Sequence, residues 1–299
     1  MRRAAVLLLF LATRLAAQEW PDRVGFEVQS AVNVTYAVAS GQELKLDVHS
    51  PRAAGPHPVV VYIHGGGWIA GTKEDSVLRL LPFLAQGAAV VNVEYRLARV
   101  ALAPAAVEDC RCALRWVIRN AERYRLDPKR IVLAGSSAGG HLALMTGMLR
   151  RGDGFDRACP SDEKIRWTDA DRSEPKVAGI VSIFGISDVA DLIGDSPNAR
   201  AYAIEWIGNR DDAAALARRI SPLTYVRREL PPILTIHGDA DTVVPLSHAT
   251  RLHDALTKAG APNELVIVKG AGHGTFAGEQ ITILHDAVRR FLDKQLFGR

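Results

Sequence analysis

The sequence predicts an α/β protein with a mostly parallel, doubly wound sheet and an N-terminal antiparallel hairpin. The main observation is a series of short, continuously apolar runs, as expected of strands that are covered on both faces. Stretches with helical apolar spacing separate these runs. Because strands and helices alternate along most of the chain, helical crossovers between parallel strands of one sheet are the simplest arrangement.

The first 17 residues have the pattern of a secretory signal peptide. Arg2 and Arg3 precede a short apolar run, and small residues before Gln18 offer a cleavage site. The run is too short to span a bilayer comfortably, and an uncleaved membrane anchor is the alternative. We therefore expect a secreted or periplasmic protein, with no stable membrane insertion after the leader is removed.

The composition is that of an ordinary globular protein. The 299 residues are 48% hydrophobic and 23% charged, which suffices for a full core. The formal net charge is +4, and loss of Arg2, Arg3 and Arg14 with the leader lowers it to +1. So small a charge does not indicate a nucleic-acid partner. Since no internal repeat or low-complexity linker divides the chain, we expect one domain over residues 18–299.

The N-terminal half contains the hairpin and three buried strands. Val32–Val38 and Leu44–Val48 alternate in period two around Ser40-Gly41, which predicts an antiparallel hairpin with one face buried. The elements predicted after the hairpin are, in chain order, a strand at Val59–Ile63, a helix over about 75–86, a strand at Ala88–Val93, a helix over about 105–123 and a strand at Ile131–Ala134.

The alternation continues in the C-terminal half, with two interruptions. The stretch 152–175 is polar and predicts a surface excursion. The stretch 188–226 predicts short helices above the carboxyl edge of the sheet, either as a cap over a site or as an inert insertion. The other predicted elements are helices over about 138–150, 247–259 and 280–296 and strands at Val177–Ile183, Ile233–Ile236 and Leu265–Val268.

Cysteine is sparse, with Cys110, Cys112 and Cys159 only. An odd number leaves at least one thiol unpaired, so the chain is not a disulfide scaffold. In an oxidising compartment Cys159 would pair with Cys110 or Cys112, and the sequence leaves this choice open. No cysteine or histidine spacing indicates a metal site, and we expect neither a metal nor a cofactor.

A candidate nucleophile lies between the strand that ends at Ala134 and the helix that follows. The connecting residues Gly135–Gly139 read Gly-Ser-Ser-Ala-Gly. Glycines on both sides allow a sharp turn that holds Ser137 out at the end of the sheet with its hydroxyl exposed. The alternative is an ordinary loop of glycine and serine. The strand–turn–helix context favours the nucleophile.

A serine nucleophile requires a general base and a carboxylate, which in this architecture follow it along the chain. Asp239 and Asp241 follow the strand that ends at Ile236, where sites in parallel sheets collect. We favour Asp241, because the residues after it suit a loop that keeps its side chain inward. Among nine histidines we favour His273, which lies in a glycine-rich loop after the last strand. The others suit packing or surface positions.

Donors for an oxyanion are predicted after the strand Val59–Ile63. Gly65, Gly66 and Gly67 follow it directly, and their backbone N–H groups have no side chains over them. The amide of Ala138, directly after the nucleophile, is a further donor at the N-terminal end of its helix. The alternative is a flexible glycine loop.

These motifs resemble the α/β-hydrolase esterases of the hormone-sensitive-lipase type, and more closely the bacterial group that includes feruloyl and acetyl-xylan esterases. The resemblance implies an α/β-hydrolase fold with Ser137, Asp241 and His273 as the triad. It places the oxyanion donors on Gly66, Gly67 and Ala138. The segments that carry it are His64–Trp68, Tyr95–Leu97, Pro104–Cys110, Arg115–Trp116, Asp127–Pro128, Gly135–Leu142, Gly238–Pro245 and Gly270–His273.

The resemblance implies a carboxylic ester hydrolase that works through an acyl-enzyme, without metal or cofactor. Its substrates would be acetyl or feruloyl esters, as small molecules or linked to polysaccharide. An amidase, formamidase or peptidase of the same fold is one alternative, and an inactive binding module is another. Trp68, Trp206, Ile207 and Phe276 are candidate substrate walls by position, with core packing as their alternative role. The oligomeric state stays open.

Overall fold

The computed structural model describes residues 27–156, 159, 175–195 and 197–299. The expected signal peptide and most of the polar stretch 152–175 lie outside these residues. No helix within the described ranges is long and apolar enough to cross a membrane.

The described residues contain one sheet of eight strands in the order β1-β2-β4-β3-β5-β6-β7-β8. β1 pairs antiparallel with β2, and β2 with β4, whereas all later neighbours are parallel. This confirms the predicted fold class. The strands are β1 (Val28–Ala39), β2 (Gln42–Pro51), β3 (His57–Ile63), β4 (Ala89–Val93), β5 (Leu126–Ser136), β6 (Gly179–Ile183), β7 (Ile233–Gly238) and β8 (Asn263–Val268).

The N-terminal hairpin turns at Ser40 and Gly41, as predicted. Both residues have positive φ, 52° and 71°, which matches the right-handed twist of the strands on either side. The strands are longer than predicted, because pairing continues beyond the residues that alternate in hydrophobicity. The hairpin therefore extends the sheet on the side away from the later parallel strands.

Helices cover both faces of the sheet. They are α1 (Val77–Ala85), α2 (Ala105–Arg119), α3 (Ala138–Met148), α4 (Val189–Asp195), α5 (Pro197–Ile207), α6 (Ala213–Arg219), α7 (Ser247–Ala259) and α8 (Glu279–Leu292). We call the face packed by α2, α3 and α7 the closed face, and the face packed by α1 and α8 the groove face. Each face contains its own apolar cluster.

The central strands supply both clusters by simple alternation. In β3, Val59, Val61 and Ile63 enter the cluster of the closed face, while Val60 and Tyr62 enter that of the groove face. Successive side chains of a strand point to opposite faces, so a strand covered on both sides must be apolar throughout. This explains why the buried strands could be recognised from the sequence.

The stretch 188–226 contains α4, α5 and α6, which extend the closed face beyond the carboxyl edge of the sheet. Leu192 and Ala203 are buried in the cluster of that face. The polar excursion begins next to α2, where Arg111 and Arg115 both bond the Asp156 carboxylate. Burial opposes ionisation, but these two partners hold the pKa of Asp156 below its usual value.

A disulfide joins Cys112 of α2 to Cys159, and Cys110 is free and buried. Residues two apart on a helix point in different directions, so only one of the two thiols can reach Cys159. The structure thereby resolves the choice that the sequence left open.

Candidate active site

Ser137 lies on the tight turn between β5 and α3. Its backbone has φ 56° and ψ −124°, unusual for a residue with a side chain. Its N–H donates to the Ile183 carbonyl at 2.9 Å, which ties the turn to β6. A Cβ on Gly135 would lie 2.4 Å from the Gly139 oxygen, and one on Gly139 would lie 2.1 Å from the Ile63 oxygen. The two glycines therefore permit close packing that no other residue allows.

Ser137, His273 and Asp241 form a continuous chain of hydrogen bonds. His273 Nε2 lies 2.9 Å from Ser137 Oγ, and His273 Nδ1 lies 2.8 Å from Asp241 Oδ2. An ionised carboxylate can only accept, so Nδ1 carries the proton and Nε2 presents its lone pair to the serine hydroxyl. This is the arrangement in which an imidazole can remove a proton from a serine.

The Asp241 carboxylate is held by groups other than His273. The N–H groups of Val243 and Val244 both donate to Oδ1 at 2.9 Å, and His237 Nε2 lies 3.4 Å from Oδ2. Burial alone would raise the pKa of Asp241. The hydrogen bonds from His237, His273 and the Val244 N–H outweigh burial and hold this pKa well below its usual value. Asp241 is therefore ionised at neutral pH.

Asp239, the alternative acid, has a different partner. Its carboxylate accepts a hydrogen bond from the Gly270 N–H at 2.6 Å. This bond joins the loop after β7 to the loop after β8, which carries His273. Asp239 thus links the two loops that carry the acid and the base.

The glycine loop after β3 lies beside Ser137. A Cβ on Gly65 would lie 3.5 Å from Ser137 Cβ. Gly66 has φ 114° and Gly67 φ 60°, and a Cβ on Gly66 would lie 1.9 Å from the Ala70 oxygen. The loop is closed by the Ile69 and Ala70 N–H groups, which donate to the Gly66 oxygen. Glycine is therefore required at Gly66 both by its backbone angle and by the lack of space.

Residues beneath this loop fix its shape. Tyr95 Oη lies 3.2 Å from the oxygens of both His64 and Gly65, and its ring stacks on His64 at 4.3 Å. The next residue, Arg96, forms a bidentate pair with the buried Asp109 of α2, in which Nε donates to Oδ2 and Nη2 to Oδ1. Tyr95 therefore supports the glycine loop from beneath, and Arg96 joins the residues after β4 to α2.

A second set of aromatic contacts fixes the loop from above. Trp68 stacks on Trp206 of α5 at 4.3 Å, and its Nε1 donates to His141 Nδ1 at 3.2 Å. His141 Nε2 donates to the Ile220 oxygen at 2.7 Å. Burial lowers the pKa of His141 to about 4, so the ring is neutral and can accept from Trp68. Helix α5 is thereby fixed to the glycine loop.

A cavity of about 520 Å³ lies at this edge of the sheet. Ser137, His273 and the glycine loop line one side, and Leu192 and Tyr202 of the 188–226 stretch line another. The Nη1 group of Arg79 donates to Ser136 Oγ at 2.8 Å on the wall of this cavity. A substrate would therefore meet apolar and polar walls beside the nucleophile.

The candidate walls proposed from the sequence separate into three groups. Trp68 lines the cavity, although its ring also stacks on the Trp206 ring. The prediction is wrong for Trp206 and Ile207, which are 0% and 2% exposed and belong to the core of the closed face. Phe276 lines a neighbouring cavity instead. Tyr202, which lies one helical turn before Trp206 on α5, lines the cavity. How far α5 extends over the glycine loop decides which of the two side chains reaches it.

No group of three or more His, Cys, Asp or Glu side chains in the described part of the chain is arranged to hold a metal ion.

Comparison with known proteins is consistent with this site. A family model described as BD-FAE matches residues 46–256. Esterase LipC of Mycobacterium tuberculosis is 28% identical over 228 residues, covering 73% of this chain and 53% of LipC. The chain therefore spans about half the length of that relative.

Two solved structures share the fold over most of the chain. One is the truncated form of a carbohydrate esterase from gut microbiota, with 28% identity and a TM-score of 0.71, covering 88% of this chain and 96% of that one. The other is native esterase 2 of Thermogutta terrifontis, with 26% identity and a TM-score of 0.71, covering 90% of this chain and 92% of that one.

Proposed function

The chain belongs to the BD-FAE family of α/β-hydrolase esterases, and we propose that it hydrolyses carboxylic esters through an acyl-enzyme formed on Ser137. One observation carries the proposal: the hydrogen-bonded chain from Ser137 through His273 to an ionised Asp241, open to a cavity. The same chain argues against an inactive binding module, because every group is in place for proton transfer.

In the first half of the reaction Ser137 Oγ attacks the ester carbonyl carbon, and its proton moves to His273 Nε2. The Nδ1–H group stays bonded to Asp241, whose negative charge stabilises the imidazolium. The carbonyl oxygen gains the negative charge, and the N–H groups of Gly66, Gly67 and Ala138 are the donors for it. When the intermediate collapses, the leaving alcohol takes the proton from Nε2.

The second half repeats these steps with water. A water molecule gives its proton to His273 Nε2 and attacks the acyl carbon, and the same amides stabilise the second oxyanion. Collapse releases the carboxylic acid and returns the proton to Ser137 Oγ. Ser137 regains from water the proton that left with the alcohol, and both Ser137 and His273 end in their starting protonation states, so the cycle needs no cofactor.

The proposed substrates are short-chain or aromatic esters such as acetyl and feruloyl esters, including esters carried by polysaccharide. The resemblance to feruloyl and acetyl-xylan esterases and the likeness to a carbohydrate esterase support this choice. We also propose that the protein is exported. The leader-like first 17 residues and the Cys112–Cys159 disulfide support export, since disulfides persist in oxidising compartments.

The function can be tested with a fluorophosphonate probe and paired substrates. We expect the wild type to be labelled on Ser137, the Ser137→Ala variant to be unlabelled, and the Ser136→Ala variant to keep its label. We expect p-nitrophenyl acetate to be hydrolysed faster than p-nitroacetanilide. Turnover of the anilide well above that of the ester would replace the esterase with an amidase.

Export is tested separately, by N-terminal sequencing of the protein recovered outside the cytoplasm. We expect a mature N-terminus near Gln18. Recovery of the full-length chain from the cytoplasm alone would exclude export.

A further inference from the structure

A second cavity, of about 300 Å³, lies on the groove face beside the candidate active site. It runs between α1 and α8, and its walls include Leu78 and Phe83 of α1, Ile281 and Leu284 of α8, and Tyr62 on the sheet side. We call it the α1–α8 groove. It is not part of the site described above, and none of the residues 64–71 of the glycine loop lines it.

The α1–α8 groove and the active-site cavity share a wall. Arg79, Phe184 and Gly274 line both cavities. The Phe184 ring meets the His273 ring at a centroid distance of 4.7 Å and stacks on Phe276 at 5.7 Å. Phe184 has φ 40°, a conformation that costs free energy in a bulky residue and often occurs at functional sites. The groove is therefore adjacent to His273, with the Phe184 ring between them.

Among the described residues that line the groove, one buried side-chain polar atom has no hydrogen-bond partner. Tyr62 is 1% exposed, and its hydroxyl has no hydrogen-bond partner among the described residues. A buried hydroxyl usually has a partner, because losing water without gaining a hydrogen bond is unfavourable. Two further walls are polar, namely Arg79, which donates to Ser136 Oγ, and the exposed His285. The remaining walls are apolar, and three of them (Phe83, Phe184 and Phe276) are aromatic. A suitable ligand is therefore an apolar ring that carries one hydrogen-bonding substituent.

The position of the groove indicates which half of an ester would enter it. In acyl transfer the leaving oxygen must lie at His273 Nε2 to receive its proton, whereas the carbonyl oxygen lies at the glycine loop. The groove borders His273 through Phe184 and Gly274 and has no wall from the glycine loop. The leaving alcohol is thus the half of the substrate that faces the groove.

We propose that the α1–α8 groove binds the alcohol part of the substrate, as an aromatic ring with a hydroxyl or methoxy substituent. This inference rests on the proposed esterase function and, among the substrates proposed above, favours small-molecule esters over polysaccharide-linked ones, whose alcohol is a polar sugar. The ring packs against Phe184 and Phe276, and its substituent bonds the Tyr62 hydroxyl, which can both donate and accept. An alkyl ring of the same size fills the same space but leaves Tyr62 without a partner, so it is the poorer ligand, and an ethyl group is too small to fill the groove.

The experiment compares acetate esters that differ only in the alcohol, namely ethyl, benzyl and 4-hydroxybenzyl acetate. Because all three give the same acetyl-enzyme, a groove that binds the alcohol changes acylation and leaves deacylation unchanged. Two exposed residues of α8 provide a matched pair of variants. Ile281 is 40% exposed and lines the groove, whereas Ile283 is 39% exposed and does not.

For Ile281→Glu we expect kcat/KM for benzyl and 4-hydroxybenzyl acetate to fall about tenfold, with ethyl acetate and the deacylation rate unchanged. For Ile283→Glu we expect no change on any ester. For Tyr62→Phe we expect the preference for 4-hydroxybenzyl over benzyl acetate to fall about tenfold. Each comparison is between variants on one ester, so the intrinsic reactivity of the esters cancels.

Equal effects of Ile281→Glu and Ile283→Glu on an active enzyme would overturn the groove assignment alone. So would a loss that follows an aromatic acyl group, measured on ethyl 4-hydroxyphenylacetate, instead of an aromatic alcohol. If no ester is hydrolysed and the fluorophosphonate does not label Ser137, the proposed function fails and the groove assignment fails with it.

Discussion

The two faces of the sheet differ at the carboxyl edge where the candidate active site lies. On the closed face, Trp206 of α5 stacks on Trp68, and His141 joins that pair to the Ile220 backbone. On the groove face, α1 and α8 leave a cavity of about 300 Å³ with Tyr62 on its wall. Both Trp206 Nε1 and the Tyr62 hydroxyl lack a partner among the described residues, but Tyr62 lines the α1–α8 groove, whereas Trp206 lines neither this groove nor the active-site cavity.

From this difference we infer that the closed face fixes the glycine loop and that the groove face offers surface to a substrate. The proposed donors for the oxyanion need a fixed position, because catalysis by preorganised dipoles fails when they move. The closed face provides this by packing aromatic rings against the loop. The groove face instead leaves apolar surface that a substrate can cover. The expected effects of substitutions therefore differ between the faces in kind as well as in size.

The largest effect on activity is expected at Asp241, whose carboxylate orients His273. Asp241→Asn cannot hold the Nδ1–H tautomer of His273 in the same way, and we expect kcat to fall on the order of 10⁴-fold. Asp239→Asn keeps an oxygen for the Gly270 N–H, and we expect a change of about threefold or less. Steady-state kinetics of both variants on one ester measure the two changes in kcat. Comparable losses in the two variants would mean that Asp241 has no special role.

The next largest effect is expected from the loss of an aromatic ring on either face. Trp206→Ala removes a fully buried ring from the closed face, and we expect a loss of about 3–5 kcal/mol in the free energy of unfolding, with a lower kcat. Phe276→Ala on the groove face removes a half-buried ring, and we expect a loss of about 1 kcal/mol. Urea denaturation measures both. Equal losses would contradict the view that packing is denser on the closed face.

Acid is expected to lower the free energy of unfolding, because His141 of the closed face is buried in its neutral form. Burial lowers the pKa of His141 to about 4, so between that pH and the unfolded value of about 6.5 the folded state binds fewer protons than the unfolded state. The stability from His141 is therefore complete above pH 6.5 and is lost as the pH falls. We expect a loss of about 2 kcal/mol from His141 between pH 7 and pH 5.

His248, whose pKa is also lowered to about 4 by burial, adds to this loss in the same direction. Urea denaturation at several pH values measures the sum. A free energy of unfolding that is constant over this range would show that neither ring is buried in its neutral form.

The smallest effect belongs to the groove face. Tyr62→Phe removes a buried hydroxyl that has no partner among the described residues, so we expect the free energy of unfolding to stay within about 0.5 kcal/mol or to rise. The assay is the urea denaturation used for Trp206→Ala. A loss above about 1.5 kcal/mol would mean that the hydroxyl already has a partner in the free protein.

Most of the edge that carries the site could be predicted from the sequence. Parallel strands bring their carboxyl ends together, so the loops that follow β3, β5, β7 and β8 had to meet once those strands were recognised. The apolar runs identified the strands because they are covered on both faces. Ser137, Asp241 and His273 accordingly lie within hydrogen-bonding distance of one another.

The walls of the site could not be predicted in the same way. Trp206 and Tyr202 lie one turn apart on the same helix, and the sequence does not show how far α5 extends over the glycine loop. The positive φ of Phe184 has no signature in the sequence, since it is not a glycine. The choice between Cys110 and Cys112 required the orientation of α2. Each of these depends on how two elements pack, which a pattern along one chain does not record.

The most direct test is to trap the acyl-enzyme. The protein is mixed with p-nitrophenyl acetate, quenched in acid within the first turnover and digested for mass spectrometry. We expect one acetyl group per chain on the peptide that contains Ser137, with a matching burst of p-nitrophenol, and neither in Ser137→Ala. An acetyl group on another residue, or an equal burst from Ser137→Ala, would contradict catalysis by Ser137, His273 and Asp241.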